Sequence, residues 1–80
     1  MKARVHVTLK PGVLDPQGRA VNHALHSLGF DRVGDVRQGK FFDIELGYDD
    51  REAAEAAVKE MCDRLLANPV VESYAIEIQA

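Results

Sequence analysis

The stretch FFDIELGYDDREAAEAAVKEMCDRLLANP, Phe41–Pro69, holds both periodicities on which the fold depends. Phe42, Ile44, Leu46 and Tyr48 alternate with Phe41, Asp43, Glu45 and Gly47, which is the two-residue repeat of a half-buried strand. Asp49 and Glu52 then form a capping box, a cap worth about 1 kcal/mol. Beyond it Ala54, Ala57, Val58, Met61 and Leu65 recur at helical spacing. Glu55 with Lys59 and Glu60 with Arg64 are spaced to pair on the wet side, and Asn68-Pro69 stops the helix. Cys62 lies on the rim of the apolar stripe.

Working outward, Ala3, Val5, Val7 and Leu9 face one way and Arg4, His6, Thr8 and Lys10 the other, so Ala3–Lys10 is a first strand ended by Pro11-Gly12. Asp15 is a suitable N-cap and Pro16 a first helical residue, and Val21, Ala24, Leu25 and Leu28 make one stripe of a helix that Gly29 can close. Phe30 can fold back on Leu25. Val33 and Val36 differ in parity with Gly34 between them, which predicts a short bulged strand, joined to the strand of Phe42 by a tight turn at Gln38-Gly39-Lys40. A single long strand bent at Gly39 is the alternative to this hairpin. Val70–Ile78 is a last strand with Tyr74, Ile76 and Ile78 on one face. The order βαββαβ gives an α+β, ferredoxin-like domain over residues 1–80, with two helices on one face of a three- or four-stranded antiparallel sheet.

Eighty residues can build only one core, and an apolar share of 46% is enough for it to fold. Ten of those apolar residues are alanines, so the core is thin and association would stabilise it. The net charge of −3 and the lack of a basic block argue against nucleic acid, and no apolar run approaches a membrane span. A cytoplasmic chain is expected, and the single cysteine, Cys62, fits a reducing compartment.

The chemistry-bearing residues do not assemble into a catalytic set. Gly39-Lys40-Phe41-Phe42 weakly matches one RNA-recognition motif, but His6 stands where the first strand would need an aromatic. Gly12, Gly18 and Arg19 could suggest a phosphate cradle, yet Pro16 removes a donor there and Asp15 places a negative charge where the anion would sit. His23 and His26 have metal-binding spacing without a third ligand. Cys62 has apolar helical neighbours and no activating histidine. The unusual feature is an apolar pair, Val13 and Leu14, in a loop. A hydrophobic staple does not explain it, because the fourth helical position is Arg19. The pair packs either under the sheet edge or against another chain. The open sheet face, with Arg4, His6, Thr8, Phe41, Val71 and Ala75, has the mixed character of an interface.

Four stretches carry a resemblance: Val5–Gly18, Leu28-Gly29-Phe30, Val36–Lys40 and Met61–Val70. Over essentially its whole length the chain resembles the PurS family, the small subunit of phosphoribosylformylglycinamidine synthase. The resemblance is most specific in Leu14-Asp15-Pro16-Gln17-Gly18 and Leu66-Ala67-Asn68-Pro69. It implies a subunit of purine biosynthesis, non-catalytic on its own, bridging a large synthetase subunit and a glutaminase subunit. In that reaction the glutaminase releases ammonia, and the synthetase uses ATP to activate the amide oxygen of formylglycinamide ribonucleotide. Ammonia then displaces the phosphate. ATP and Mg are therefore expected in the large partner, with no cofactor on this chain. The expected partner contacts are Val13, Leu14, Asp15, Gln17, Arg37 and Lys40, together with self-association into a dimer or larger assembly. An amino-acid-sensing module of the ACT type shares the element order, but Pro11 and Pro16 stiffen a loop that would there be a glycine-rich turn. A small acyl-phosphate hydrolase would require Arg19 to hold phosphate.

Overall fold

The structure, a computed structural model, describes residues 1–79. Among the described residues six elements follow one another: β1 (Lys2–Leu9), α1 (Pro16–Ser27), β2 (Gly39–Glu45), α2 (Arg51–Met61), a π-helical turn (Cys62–Leu66) that continues α2, and β3 (Glu72–Gln79). The strands form a three-stranded antiparallel sheet in the order β2-β1-β3. Val5 lies between Phe42 and Ile76, and Ala3 between Ile44 and Ile78. The alternation read in the sequence therefore aligns one apolar face across all three strands. Ala54, Val58 and Cys62 from the second helical segment close over it, and Ala3, Val5 and Val7 are fully buried. The largest fully buried side chains are only Val5, Val7, Val58 and Cys62, so the core is as thin as its alanine content predicts.

Residues 33–38 form no strand, and neither the hairpin nor the long bent strand occurs. The segment lies along α1 in the opposite direction, and side chains of α1 and its cap take the backbone groups that a strand would have paired. His26 Nε2 bonds the Val33 carbonyl at 3.0 Å, and Asn22 Nδ2 donates to the Gly34 carbonyl at 2.6 Å. A carbonyl can only accept, so the Nε2 of His26 carries the proton. At the far end the Gln38 N–H donates to Asp15. Gly39 is consequently the first residue of β2 and not the tip of a turn. Leu46 and Tyr48 fall beyond the strand.

Two further differences concern the second helix. Its N-cap is Asp50, which accepts from the Glu52 N–H at 3.3 Å, and not Asp49. Glu55 pairs with Arg51 at 3.4 Å, while the expected Glu60–Arg64 pair forms at 3.1 Å. The last turn, Cys62–Leu66, widens into a π-helical turn in which the Ala67 N–H reaches the Cys62 carbonyl at 3.0 Å. One extra residue in a turn rotates everything after it. Leu65, placed on the buried stripe by strict 3.6-residue spacing, is 82% exposed. Cys62 precedes the widening, with its N–H still on the Val58 carbonyl, and lies in the core and not on the rim because it continues the buried row Ala54–Val58 at four-residue spacing. The Tyr74 hydroxyl donates to Asp63 at 2.7 Å, tying this turn to β3 and pushing the phenol's pKa up to about 12.

α1 ends as its sequence predicts. Gly29 adopts φ +98°, its N–H bonds the His26 carbonyl, and the Phe30 N–H bonds the Leu25 carbonyl, the paired bonds of a glycine-closed helix end. Along α1 only Gly18 is buried, and the stripe of Val21, Ala24, Leu25 and Leu28 is not covered by the sheet. The molecule spans 49 × 26 × 14 Å, and its radius of gyration is 15.9 Å. A compact chain of this length has a radius near ~12 Å. α1 and its strap thus form an arm running out from the sheet.

Candidate partner-contact site

The root of that arm is organised by Asp15. Its Oδ1 accepts the Gly18 N–H at 2.9 Å and its Oδ2 the Gln38 N–H at 2.8 Å, and the residue is 5% exposed. One carboxylate therefore caps α1 and fastens the strap beside it. Bonding from Gln38 and then Gly18 holds its pKa below the ordinary carboxylate value against the opposing effect of burial, and the Arg37 guanidinium lowers it further. Gly18 permits the crossing: a Cβ there would overlap the Val36 carbonyl oxygen and sit 2.6 Å from Asp15 Oδ2.

Arg37 fixes the loop from the other side. Its guanidinium donates to the Val13 carbonyl and the Lys10 carbonyl, each at 3.1 Å. Gly12, at φ +86°, makes the turn these bonds clamp, and the Val13 N–H closes it on the Lys10 carbonyl. Val13 is half-buried, whereas Leu14 is 66% exposed. The apolar pair is thus divided: Val13 seals the clamp and Leu14 projects from a rigid frame.

All six residues named from the sequence lie in this one region. Asp15, Gln17 and Lys40 line a cavity of about 240 Å³ that also involves Glu72 of β3. Lys40 forms an ion pair with Glu72 at 3.6 Å. Arg37 and Asp15 are occupied by hydrogen bonds within the chain, while Leu14, Gln17 and Lys40 are exposed. The sequence reading missed Asn22, and it weighed His26 only as a metal ligand and Gly18 only as part of a phosphate cradle. A glycine in the first turn of an otherwise well-formed helix was the available signal, because an ordinary helix gains nothing from it.

Elsewhere, the open sheet face carries a T-shaped contact between His6 and Phe41, with ring centres 4.9 Å apart. Among the described residues no three His, Cys, Asp or Glu side chains converge as a metal set, and no helix is long and apolar enough to cross a membrane. Burial, followed by the nearby Asp63 charge, raises the pKa of the Cys62 thiol.

Comparison with known proteins agrees with this arrangement along the whole chain. Residues 2–80 match the family model for PurS, phosphoribosylformylglycinamidine (FGAM) synthase. The phosphoribosylformylglycinamidine synthase subunit PurS of Bacillus subtilis is 50% identical over 78 residues, 98% of this chain and 92% of that protein. Its counterpart in Methanocaldococcus jannaschii is 44% identical over 78 residues, covering 98% of this chain and 94% of the relative. The B. subtilis PurS crystal structure superposes with a TM-score of 0.88 at 49% identity, over 99% of this chain and 98% of that one. A chain of PurLQS from Thermotoga maritima gives 0.88 at 33% identity, over 95% and 93%. With identities of this size spanning strand, arm and sheet alike, the chain belongs to the PurS family.

Proposed function

We propose that the chain is the small assembly subunit of the ATP- and glutamine-dependent phosphoribosylformylglycinamidine synthase of purine biosynthesis. It is not catalytic by itself. It bridges the large synthetase subunit and the glutaminase subunit so that ammonia released from glutamine reaches the activated amide, and it acts in the cytoplasm as a dimer or larger homo-oligomer. ATP and Mg belong to the synthetase. The observation carrying this reading is the likeness, over nearly the full length, to a chain of the T. maritima PurLQS structure. The arm root supports it, since a surface leucine on a clamped loop is presented to a partner with little entropy left to lose.

In this reading Leu14, Gln17 and Lys40 contact the synthetase, and Val13, Asp15 and Arg37 hold them in place. The paired change Val13→Ser with Leu14→Ser tests it by circular dichroism, capture of the purified synthetase, and glutamine-dependent amidine synthesis. The expected result is a folded chain that no longer captures the synthetase. A double variant that melts, binds and supports turnover like the wild type removes the loop from the assembly surface.

A further inference from the structure

The end of the sheet nearest α1 breaks the apolar face. On β2 the residues on the helix side are Ile44, Phe42 and then Lys40, and on β3 they are Ile78, Ile76, Tyr74 and then Glu72. Lys40 is paired with Val7 of β1 and Glu72 with Leu9, so a cation and an anion stand on either side of an apolar central strand. Charged side chains at core-facing positions cost a small domain stability unless they serve something else.

Both charges line the cavity of about 240 Å³ between this end of the sheet and the root of α1, together with Val7, Leu9, Asp15 and Gln17. Glu72 is held in place: its Oε1 accepts the Asn68 N–H at 2.6 Å, which leaves Oε2 toward Lys40. Lys40 Nζ is 3.6 Å from Oε2, beyond hydrogen-bond length, and its side chain is 56% exposed against 16% for Glu72. A fixed acceptor in the wall thus faces a mobile ammonium at the mouth. The carboxylate of Asp15 adds a second negative charge to the wall. A simple anion would meet two carboxylates, and a simple cation would meet Lys40. A molecule with an ammonium and a carboxylate on one carbon matches both signs. Size points to the same class, since the volume lies below the roughly 300–1,000 Å³ of sites for drug-sized ligands and equals about eight water-sized atoms at ~30 Å³ each.

We propose that this cavity binds a free α-amino acid with a small, uncharged polar side chain. The ligand's ammonium lies against Glu72 Oε2, its carboxylate takes Lys40 Nζ, which swings outward to admit it, and Val7 and Leu9 pack against its carbon atoms. The Gln17 carboxamide, able both to donate and to accept, meets the polar side chain. An acidic side chain would be repelled by Asp15. The site lies within one chain, and its occupancy is measured on that chain alone, independently of the assembly role.

Titration of the full chain with L-glutamine, followed by ¹H–¹⁵N NMR, should move the amide signals of Gln38, Gly39 and Glu72 in a saturable way. N-acetyl-L-glutamine lacks the ammonium and L-glutaminamide lacks the carboxylate, and each should bind the wild-type chain about tenfold more weakly or worse. L-glutamate should also bind more weakly than L-glutamine. Lys40→Met and Glu72→Gln, checked for folding by circular dichroism, should each weaken L-glutamine binding by a similar factor. The analogues act on the unaltered chain, so they decide the matter even if a variant fails to fold. No saturable shift up to about 10 mM L-glutamine overturns the site, as do shifts confined to residues away from the cavity. Analogues, L-glutamate or folded variants that bind as tightly as the wild-type pairing with L-glutamine overturn it equally.

Discussion

Replacing Gly18 with alanine reverses the usual sign of a helix substitution. Gly→Ala inside a helix ordinarily stabilises by about 1 kcal/mol, because the unfolded chain loses freedom and the helix gains a better former. Here the added methyl would overlap the Val36 carbonyl and press on the Asp15 carboxylate, with its Cβ 2.6 Å from Oδ2 and 2.9 Å from Cγ. Neither obstacle is a flexible side-chain end, because Gln38 holds the carboxylate at 2.8 Å and the carbonyl is backbone. Overpacking of this kind costs about 1–3 kcal/mol, and with two fixed obstacles the upper half of that range applies. Subtracting the propensity gain leaves a net loss of about 1–2 kcal/mol, or a Tm lowered by about 4–16 °C for a domain of this size. Thermal unfolding followed at 222 nm, at one fixed protein concentration, measures it. The exposed Ala20→Gly change is the control for helix propensity alone, with an expected loss of about 1 kcal/mol. A Gly18→Ala chain that melts 4 °C or more above the wild type would show that strap and helix do not cross at this point.

Three further outcomes follow from the same geometry. Arg37→Ala removes two bonds that clamp the first loop, at about 0.5–1.5 kcal/mol each; hydrogen exchange should rise at the Val13 amide, and unchanged protection there would contradict the clamp. Asp15 has a folded pKa below its ordinary 3.8, so its stabilisation is complete above that pH and is lost as pH falls through the lower folded value; Asp15→Asn should be less stable at neutral pH and show a flatter acid limb, and parallel acid-unfolding curves would refute this. Cys62→Ala leaves a small cavity, costing about 1–2 kcal/mol, while the assembled complex keeps near-normal glutamine-dependent turnover; complete loss of turnover in an intact complex would assign the thiol a chemical role.

The sheet was legible because its two informative strands alternate without interruption and share one apolar face, as Val5 opposite Phe42 and Ile76 confirms. α1 was equally plain, its limits marked by Asp15, Pro16 and Gly29. Residues 33–38 were misread because Val33 and Val36 have strand-like composition, while the groups that decide the matter, Asn22, His26 and Asp15, lie on a neighbouring element. Local propensity carries no information about such side-chain competition for backbone bonds. Leu65 was misplaced for a different reason: a π turn changes the helical period, and a pattern that assumes 3.6 residues per turn puts every later residue on the wrong face. At the arm root the loop pair Val13–Leu14 was visible in the sequence as apolar residues without a local partner. Its division into a sealing residue and a projecting one depends on Arg37, which is 24 residues away.

The measurement bearing most directly on the account compares two nitrogen sources in a reconstituted enzyme. Purified synthetase and glutaminase are supplied with ATP, Mg and formylglycinamide ribonucleotide, with either glutamine or free ammonia, and amidine formation is followed with and without this chain. An assembly subunit makes glutamine-dependent synthesis depend on its presence, leaves ammonia-dependent synthesis by the synthetase largely unchanged, and fails to restore the glutamine reaction when it carries Val13→Ser and Leu14→Ser. Equal glutamine-dependent rates with and without the chain would contradict the bridging role.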